Sequence, residues 1–254
     1  GVRGLKAGDA VTTYFYLNCG HCRWCLTNLE PLCENTGGQV GLECDGAYAE
    51  YVKLPAQNFI KLPEGLDTKK HPAEIGVVTD ALATPYKVLR RARVKAGETV
   101  VVFGAGGGLG IHQLMMAKWA RARVIAVDTK AEKFDACRKA GADEVVDASA
   151  GRVVEQLLEL TNGQGVDVVV DYVSATATLE AGAKALARRG RLVTLGGGSA
   201  GKTFSLSAAD LLNKEQDILG SRYVTRSEVL ESLDLVARGE VFPLVSVVRP
   251  LEEA

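Results

Sequence analysis

The chain has 254 residues, enough for one large domain or two modest ones with a substantial buried core. Hydrophobic residues make up 47% and charged residues 24%, the balance of an ordinary soluble globular protein. With 30 basic against 31 acidic side chains, the charge leaves no footprint for nucleic acid or a membrane surface.

In chain order, residues 1 to about 60 read as short strands and turns. Val11–Leu17 and Ala47–Leu54 are β-branched and aromatic runs, the second stopping at Pro55. A cysteine-rich, irregular lobe lies between them. From Glu98 the pattern becomes a regular alternation. Strands are expected at Val100–Phe103, Val124–Val127, Val145–Val146, Val166–Val170, Leu192–Leu195 and Ile218–Leu219. Helices are expected at Ile111–Ala120, Ala131–Ala140, Val153–Leu160, Ala175–Ala187 and Glu228–Ala237. Continuous apolar strands between amphipathic helices mean a parallel sheet covered on both faces, with right-handed connections. The longest apolar runs, such as Val100–Phe103 and Val168–Val170, are far too short to span a bilayer. Val245–Val248 reads as one more strand. Pro250-Leu251-Glu252-Glu253-Ala254 then reads as the first turn of a helix. The start, Gly1-Val2-Arg3-Gly4, has no initiator Met. Both ends are expected to be trimmed.

Six cysteines are present, at 19, 22, 25, 33, 44 and 137. The pattern Cys19-x2-Cys22-x2-Cys25-x7-Cys33 allows three close thiols and a fourth returned by a loop to close a tetrahedron on one ion. A closed shell of four thiolates on zinc has no open position and staples a lobe with little core of its own. Free thiols and an iron–sulfur cluster are the alternatives. Clustered exposed thiols would be an oxidation hazard. The last spacing is too long for the bacterial ferredoxin run, and Glu34 stands where Pro would follow. His21 reads as a spacer, and Cys44 and Cys137 as ordinary buried thiols.

After Val100–Phe103 comes Gly104-Ala105-Gly106-Gly107-Gly108-Leu109-Gly110, and then a helix. A backbone with few β-carbons approaches a pyrophosphate closely, and the helix N-terminus supplies free N–H groups. Gly107, Gly108, Leu109 and Gly110 are the candidate residues. The fingerprint is read from Ala105, with Gly107 and Gly110 in the second and third glycine places. Asp128 ends the next strand about twenty residues on. A carboxylate there accepts from the adenosine ribose hydroxyls and repels a 2′-phosphate, which favours NAD over NADP. A tight strand–helix turn without a ligand is the alternative.

Together these pieces resemble the zinc-containing medium-chain alcohol dehydrogenases. Besides the two main motifs, the resemblance includes Gly8-Asp9-x-Val11, Asp45-Gly46-x-Tyr48-Ala49-Glu50-Tyr51 and Asp80-x3-Thr84-x-Tyr86. It continues through Gly141-Ala142-Asp143, Asp167-Val168-Val169-Val170-Asp171 and Gly190-x-Leu192-Val193-x-Leu195-Gly196, and so runs over essentially the whole chain. It implies an α/β fold: a Rossmann doubly wound parallel sheet over 80–241, plus a partial chaperonin-10-like β-barrel catalytic domain over 1–79 and 242–254. Substrate would bind in the cleft between them.

The resemblance also implies roles. The catalytic zinc of the family is held by three protein ligands with a fourth position open. Two of these lie upstream of the segment matching Gly1, and the third falls at Asp80, a carboxylate where many members have Cys. Read alone, Asp80 would be a helix N-cap or an ordinary polar residue. Thr84 matches a residue beside the nicotinamide, Lys133 one that reaches the adenosine ribose, and Val173 and Gly196 positions lining the cofactor. Read alone, these last three would be a solvated helix residue, core and turn. The implied reaction is hydride transfer between a primary or secondary alcohol and NAD, giving aldehyde or ketone, with zinc assisting ionisation of the alcohol. A cytoplasmic homodimer or homotetramer is implied, built through the region around Leu192–Ser207. Two other readings compete: a zinc-free quinone reductase of the same superfamily, and a folded NAD- and zinc-binding fragment without catalysis. Loss of early barrel strands exposes sheet edges in the first sixty residues. Amide hydrogen exchange should therefore be slower over 80–241 than over 1–79. Equal protection in both parts would contradict this expectation.

Overall fold

A strand whose residues are apolar on both sides is stable only when both faces of its sheet are covered. The computed structural model describes residues 4–196 and 200–253. Residues 197–199 of the expected subunit contact Leu192–Ser207, and the chain ends at 1–3 and 254, lie outside the described residues. In chain order the elements begin with β1 (Val11–Thr13), α1 (Arg23–Leu26), β2 (Phe59–Lys61), α2 (Pro72–Gly76) and α3 (Ala83–Ala92). The alternation follows: β3 (Thr99–Phe103), α4 (Gly108–Trp119), β4 (Arg123–Asp128), α5 (Phe134–Lys139), β5 (Glu144–Asp147) and α6 (Val153–Leu160). It continues through β6 (Val166–Asp171), α7 (Thr176–Ala185), β7 (Leu186–Thr194), α8 (Ala208–Lys214), β8 (Asp217–Gly220) and α9 (Arg226–Ala237). Two compact units result: Gly1–Ala83 with Arg222–Ala254, and Thr84–Ser221.

The second unit is a six-stranded parallel sheet in the order β5-β4-β3-β6-β7-β8. That is the doubly wound order, with the strand sequence reversing between β3 and β6. Val101 lies beside Ile125 and Val169, and with Phe103 and Val127 these side chains form one face. Leu157 of α6 and Leu179 of α7 complete that core. The alternate residues Val100, Val102, Val124, Ala126, Val168 and Val170 are equally buried. Each such valine side chain withdrawn from water contributes about 1.5–3 kcal/mol. Arg191 of β7 clamps the other end of the sheet. Its guanidinium donates to both oxygens of Glu98, at 3.0 and 2.7 Å, and to the Ala92 carbonyl at 2.8 Å.

The first unit rests on a short antiparallel pair, with Val11 opposite Lys61 and Thr13 opposite Phe59. The strand expected over Val11–Leu17 stops at Thr13: the Asn58 side-chain amide takes the Tyr14 and Tyr16 carbonyls at 2.6 and 2.8 Å, and beyond it Tyr16 makes only an isolated antiparallel bridge to Gln39. Ala47–Leu54 and Val245–Val248, also expected as strands, have no ladder among the described residues. Tyr48 and Tyr51 are 86% and 90% exposed, so that run gains no pairing and buries neither of its aromatic rings. Tyr14, Phe15, Tyr16 and Tyr223 pack ring against ring, and the Tyr14 hydroxyl donates to the Val224 carbonyl at 2.8 Å.

Helix α4 is buried on more sides than its apolar spacing suggests, and it carries two buried polar residues, His112 and Gln113. Burial pushes the His112 imidazole below its usual 6.5, only partly offset by its bond to the Gly108 carbonyl at 2.6 Å. A group whose folded pKa is depressed adds stability above its unfolded value, and that stability is lost as pH falls through the folded one. The urea midpoint should therefore drop as pH falls below about 6.5, and His112→Gln should flatten that limb. Parallel midpoint-against-pH curves for the two proteins would refute it.

Candidate functional site

Two separate assemblies carry chemistry, one in each unit. In the first, α1 holds Cys25 after the turn from Cys19 to Cys22, and a 3-10 turn at Glu30–Leu32 returns Cys33. The four Sγ atoms lie within 4.8 Å of one another. Cys19 and Cys25 are 3.9 Å apart, Cys22 and Cys25 3.6 Å, and Cys22 and Cys33 3.9 Å. A disulfide needs about 2.05 Å. A tetrahedron with zinc–sulfur bonds of about 2.3 Å has sulfur–sulfur edges of about 3.8 Å. The observed spacing thus fits one ion held by four thiolates. Backbone amides support the charge: Cys22 N–H donates to Cys19 Sγ at 3.3 Å and Cys19 N–H to Cys33 Sγ at 3.5 Å. The Cys25 amide aimed at Cys22 pulls that thiol down to about 6, while burial pushes Cys25 up to about 12. Helix α1 has no fully buried residue, so the lobe has little apolar core to replace the ion. The His21 ring bonds to the Cys19 carbonyl at 2.9 Å and lies outside the group of four.

In the second unit the glycine loop joins β3 to α4. Gly107 is the helix N-cap, and the first intrahelical bond runs from Ile111 N–H to the Gly107 carbonyl at 2.9 Å. The amides of Gly108, Leu109 and Gly110 precede it and have no acceptor within their own helix. A β-carbon on Gly110 would lie 2.2 Å from the Gly104 carbonyl oxygen and 2.8 Å from Ala105 Cα. Only glycine admits that approach of helix to strand end. One on Gly106 would lie 2.5 Å from Lys133 Cβ and 3.1 Å from Asp128 Oδ2. The loop, Asp128 and Lys133 therefore form one cradle. Asp128 Oδ2 accepts the Gly106 N–H at 2.8 Å, and Oδ1 accepts the Lys130 N–H at 3.1 Å. Across the switch point stands Val173, 44% exposed, with Cγ2 3.1 Å from where a Gly104 β-carbon would sit. Gly196 follows β7, its amide donating to Ser174 Oγ at 2.8 Å. The cradle fits a dinucleotide: amides for a pyrophosphate, a carboxylate for ribose hydroxyls, and an apolar wall at the carboxyl ends of β3 and β6.

Asp80 and Thr84 fall in different units. Asp80 is exposed, caps the 3-10 turn Val77–Thr79, and lies close enough to Tyr223 to add to the burial that holds its hydroxyl above the usual range. Thr84 is buried in the first turn of α3. Among the described residues Asp80 gathers with no two further His, Cys, Asp or Glu side chains, so it does not by itself make a catalytic zinc shell. Gly106, Asp171 and Ser174 were not singled out from the sequence, yet all three shape the dinucleotide cradle. An Asp that closes an apolar run, as Asp171 closes Val166–Val170, is the sequence feature that marks such a turn.

Known proteins are similar to this chain in sequence and in fold. The family profile "Zinc-binding dehydrogenase" matches residues 108–238, and "Alcohol dehydrogenase GroES-like domain" matches residues 1–64. The chain belongs to the zinc-containing medium-chain alcohol dehydrogenase family. An NAD-dependent alcohol dehydrogenase of Sulfurisphaera tokodaii is 33% identical over 254 residues, covering 100% of this chain and 71% of that protein. An acryloyl-coenzyme A reductase of Metallosphaera sedula is 32% identical, covering 100% of this chain and 72% of its own length. The crystal structure of an alcohol dehydrogenase from Aeropyrum pernix superposes with a TM-score of 0.88 at 32% identity, over 100% of this chain and 72% of that one. The doubly wound parallel sheet and the GroES-like segment are those of this oxidoreductase family. No helix among the described residues is long and apolar enough to cross a membrane.

The thiolate spacing leads to a count. The purified chain should carry one zinc per polypeptide by elemental analysis. Cys22→Ser and Cys33→Ser should each lower that to well under one. Full occupancy in both variants would place the metal elsewhere.

Proposed function

We propose that this chain binds NAD across the carboxyl ends of β3, β4 and β6 and serves hydride transfer between a primary or secondary alcohol and the corresponding aldehyde or ketone. The observation that carries the reading is the junction of Asp128, Gly106 and Lys133. There a carboxylate at the end of β4 is held against a glycine loop in which neither Gly106 nor Gly110 has room for a β-carbon.

The amides of Gly108, Leu109 and Gly110, with Gly107 opening the approach, take the pyrophosphate at the positive end of α4. Asp128 accepts from the adenosine ribose hydroxyls through lone pairs not engaged by Gly106 and Lys130. It also repels a 2′-phosphate, which makes NAD the preferred dinucleotide. Lys133, on the turn facing that carboxylate, lies beside the ribose. Val173 and Gly196 flank the nicotinamide, with Thr84 beside it. When bound, NAD accepts the hydride from the carbinol carbon. Cys19, Cys22, Cys25 and Cys33 hold a zinc that keeps their lobe folded and takes no part in the reaction, because four thiolates leave it no open position. Asp80 is the carboxylate this chain offers to a second, catalytic zinc, whose remaining ligands are not among the described residues.

The similarity to an acryloyl-coenzyme A reductase supports a second class, reduction of an activated carbon–carbon double bond. Turnover assays with alcohols and with enoyl thioesters separate the two. Failure with both, alongside intact NAD binding, leaves a cofactor-binding chain.

Losing a charge-assisted hydrogen bond should weaken binding by about 10- to 100-fold. Calorimetry on Asp128→Ala should show a loss of that size for NAD and a much smaller one for NADP. An unchanged NAD affinity would move the ribose away from Asp128.

A further inference from the structure

The loop after β6 is tied down more heavily than a connection between strand and helix requires. Asp171, the last residue of β6, is fully buried, and both its oxygens are used. Oδ1 accepts the Val173 N–H at 2.7 Å and the Ser174 N–H at 2.9 Å, and Oδ2 accepts the Thr178 hydroxyl at 2.7 Å. A buried carboxylate is costly unless its lone pairs are filled, and here the loop it begins fills them.

Ser174 sits at φ +52°, a left-handed conformation disfavoured for any residue with a β-carbon. Such a conformation persists where the surroundings over-determine it, and it clusters at sites of function. Its Oγ lies 2.9 Å from Thr194 Oγ1 and accepts the Gly196 N–H at 2.8 Å. A β-carbon on Gly196 would stand 2.5 Å from that Oγ and 2.9 Å from the Tyr172 carbonyl oxygen. Asp171 pairs with Thr194 in the ladder, so the side-chain bonds extend the β6–β7 pairing past the last strand residues. Held between these points, Val173 presents its apolar side chain toward the glycine loop.

We propose that Ser174, locked by Asp171 and Thr194, is a positioning residue for the nicotinamide half of the dinucleotide. It acts by fixing Val173 and Gly196 as the two walls between which the ring lies. The proposal rests on the NAD reading above. The adenosine half has a charged handle in Asp128 and a row of amides in the glycine loop. The nicotinamide ring has neither, so its placement depends on how rigidly these two walls are held.

The test compares NADH with ADP-ribose, which keeps both phosphates and the adenosine but lacks the nicotinamide. Dissociation constants for both, and the emission of bound NADH, are measured for the wild type, Ser174→Gly and Thr194→Val. Glycine relieves the left-handed strain while removing the hydroxyl. Valine keeps the shape of Thr194 and removes its bond, so at least one variant should fold as the wild type does. The loss of a neutral hydrogen bond acting on one half of the ligand should weaken NADH by about tenfold in both variants. The emission enhancement of the bound nicotinamide should fall, and ADP-ribose should bind as tightly as before. Unchanged NADH binding and emission would overturn the proposal. So would an equal loss for ADP-ribose, or a wild type that gains no affinity from the nicotinamide. A wild type that binds neither ligand would instead overturn the NAD reading on which the proposal stands.

Discussion

Of the described glycines, Gly110 has the least room: a β-carbon there would come within 2.2 Å of the Gly104 carbonyl oxygen. Because α4 meets the end of β3 without a side chain between them, its first amides stand at the carboxyl edge of the sheet. The switch between β3 and β6 opens a crevice at that same edge. Move the helix outward by the width of a methyl group and the amides of Gly108, Leu109 and Gly110 leave the place where Asp128 and Val173 converge. The valine-rich strands supply the stiffness that makes this contact meaningful, since β3 is paired on both sides and buried on both faces.

Much of this was legible in residue order, for a reason that also explains the failures. Continuous apolar runs such as Val100–Phe103 and Val166–Val170 need cover on both faces, so each run implies the rest of the sheet. The four cysteines were legible because thiolate spacing is set by the metal and not by distant parts of the chain. Ala47–Leu54 and Val245–Val248 look just as strand-like locally, but a single strand is stable only beside a partner, and its own sequence does not reveal whether one is present. Asn58 was illegible for the converse reason. Its side-chain amide captures carbonyls just past β1, about forty residues away in sequence, a contact that neither residue announces.

The last residues of β4, β5 and β6 are all aspartates, and the three do the same local thing. Asp128, Asp147 and Asp171 each accept the backbone N–H two residues on, from Lys130, Ser149 and Val173. This is the turn that Asp forms readily as a chain leaves a strand. What separates them is the setting of each carboxylate. Asp147 spends its other bond on the neighbouring Ser149 hydroxyl, within its own turn. Asp171 is sealed and fully committed to the loop it begins, so it is available for architecture alone. Asp128 is half-buried and gives one oxygen to Gly106 and one to Lys130, which leaves lone pairs facing the cradle. One residue type at one position in three strands thus divides into a turn, a clamp and an acceptor set against the glycine loop. Burial sets Asp171 apart and the neighbouring glycine loop sets Asp128 apart, neither of which is written in the residue itself.

The two units solve the problem of order differently. The sheet is held by apolar area, and its polar bonds sharpen a core that exists without them. The cysteine lobe has little such area, since α1 has no fully buried residue and Leu26 is 73% exposed. Four thiolates at tetrahedral spacing stand in for a core there, so the stability of that lobe follows metal occupancy, whereas that of the sheet follows packing. Asn28, just past α1, donates to Ser227 Oγ at 2.7 Å at the start of α9, so the lobe's order is passed to that helix by a hydrogen bond. In this unit the metal is the structural element with the fewest substitutes.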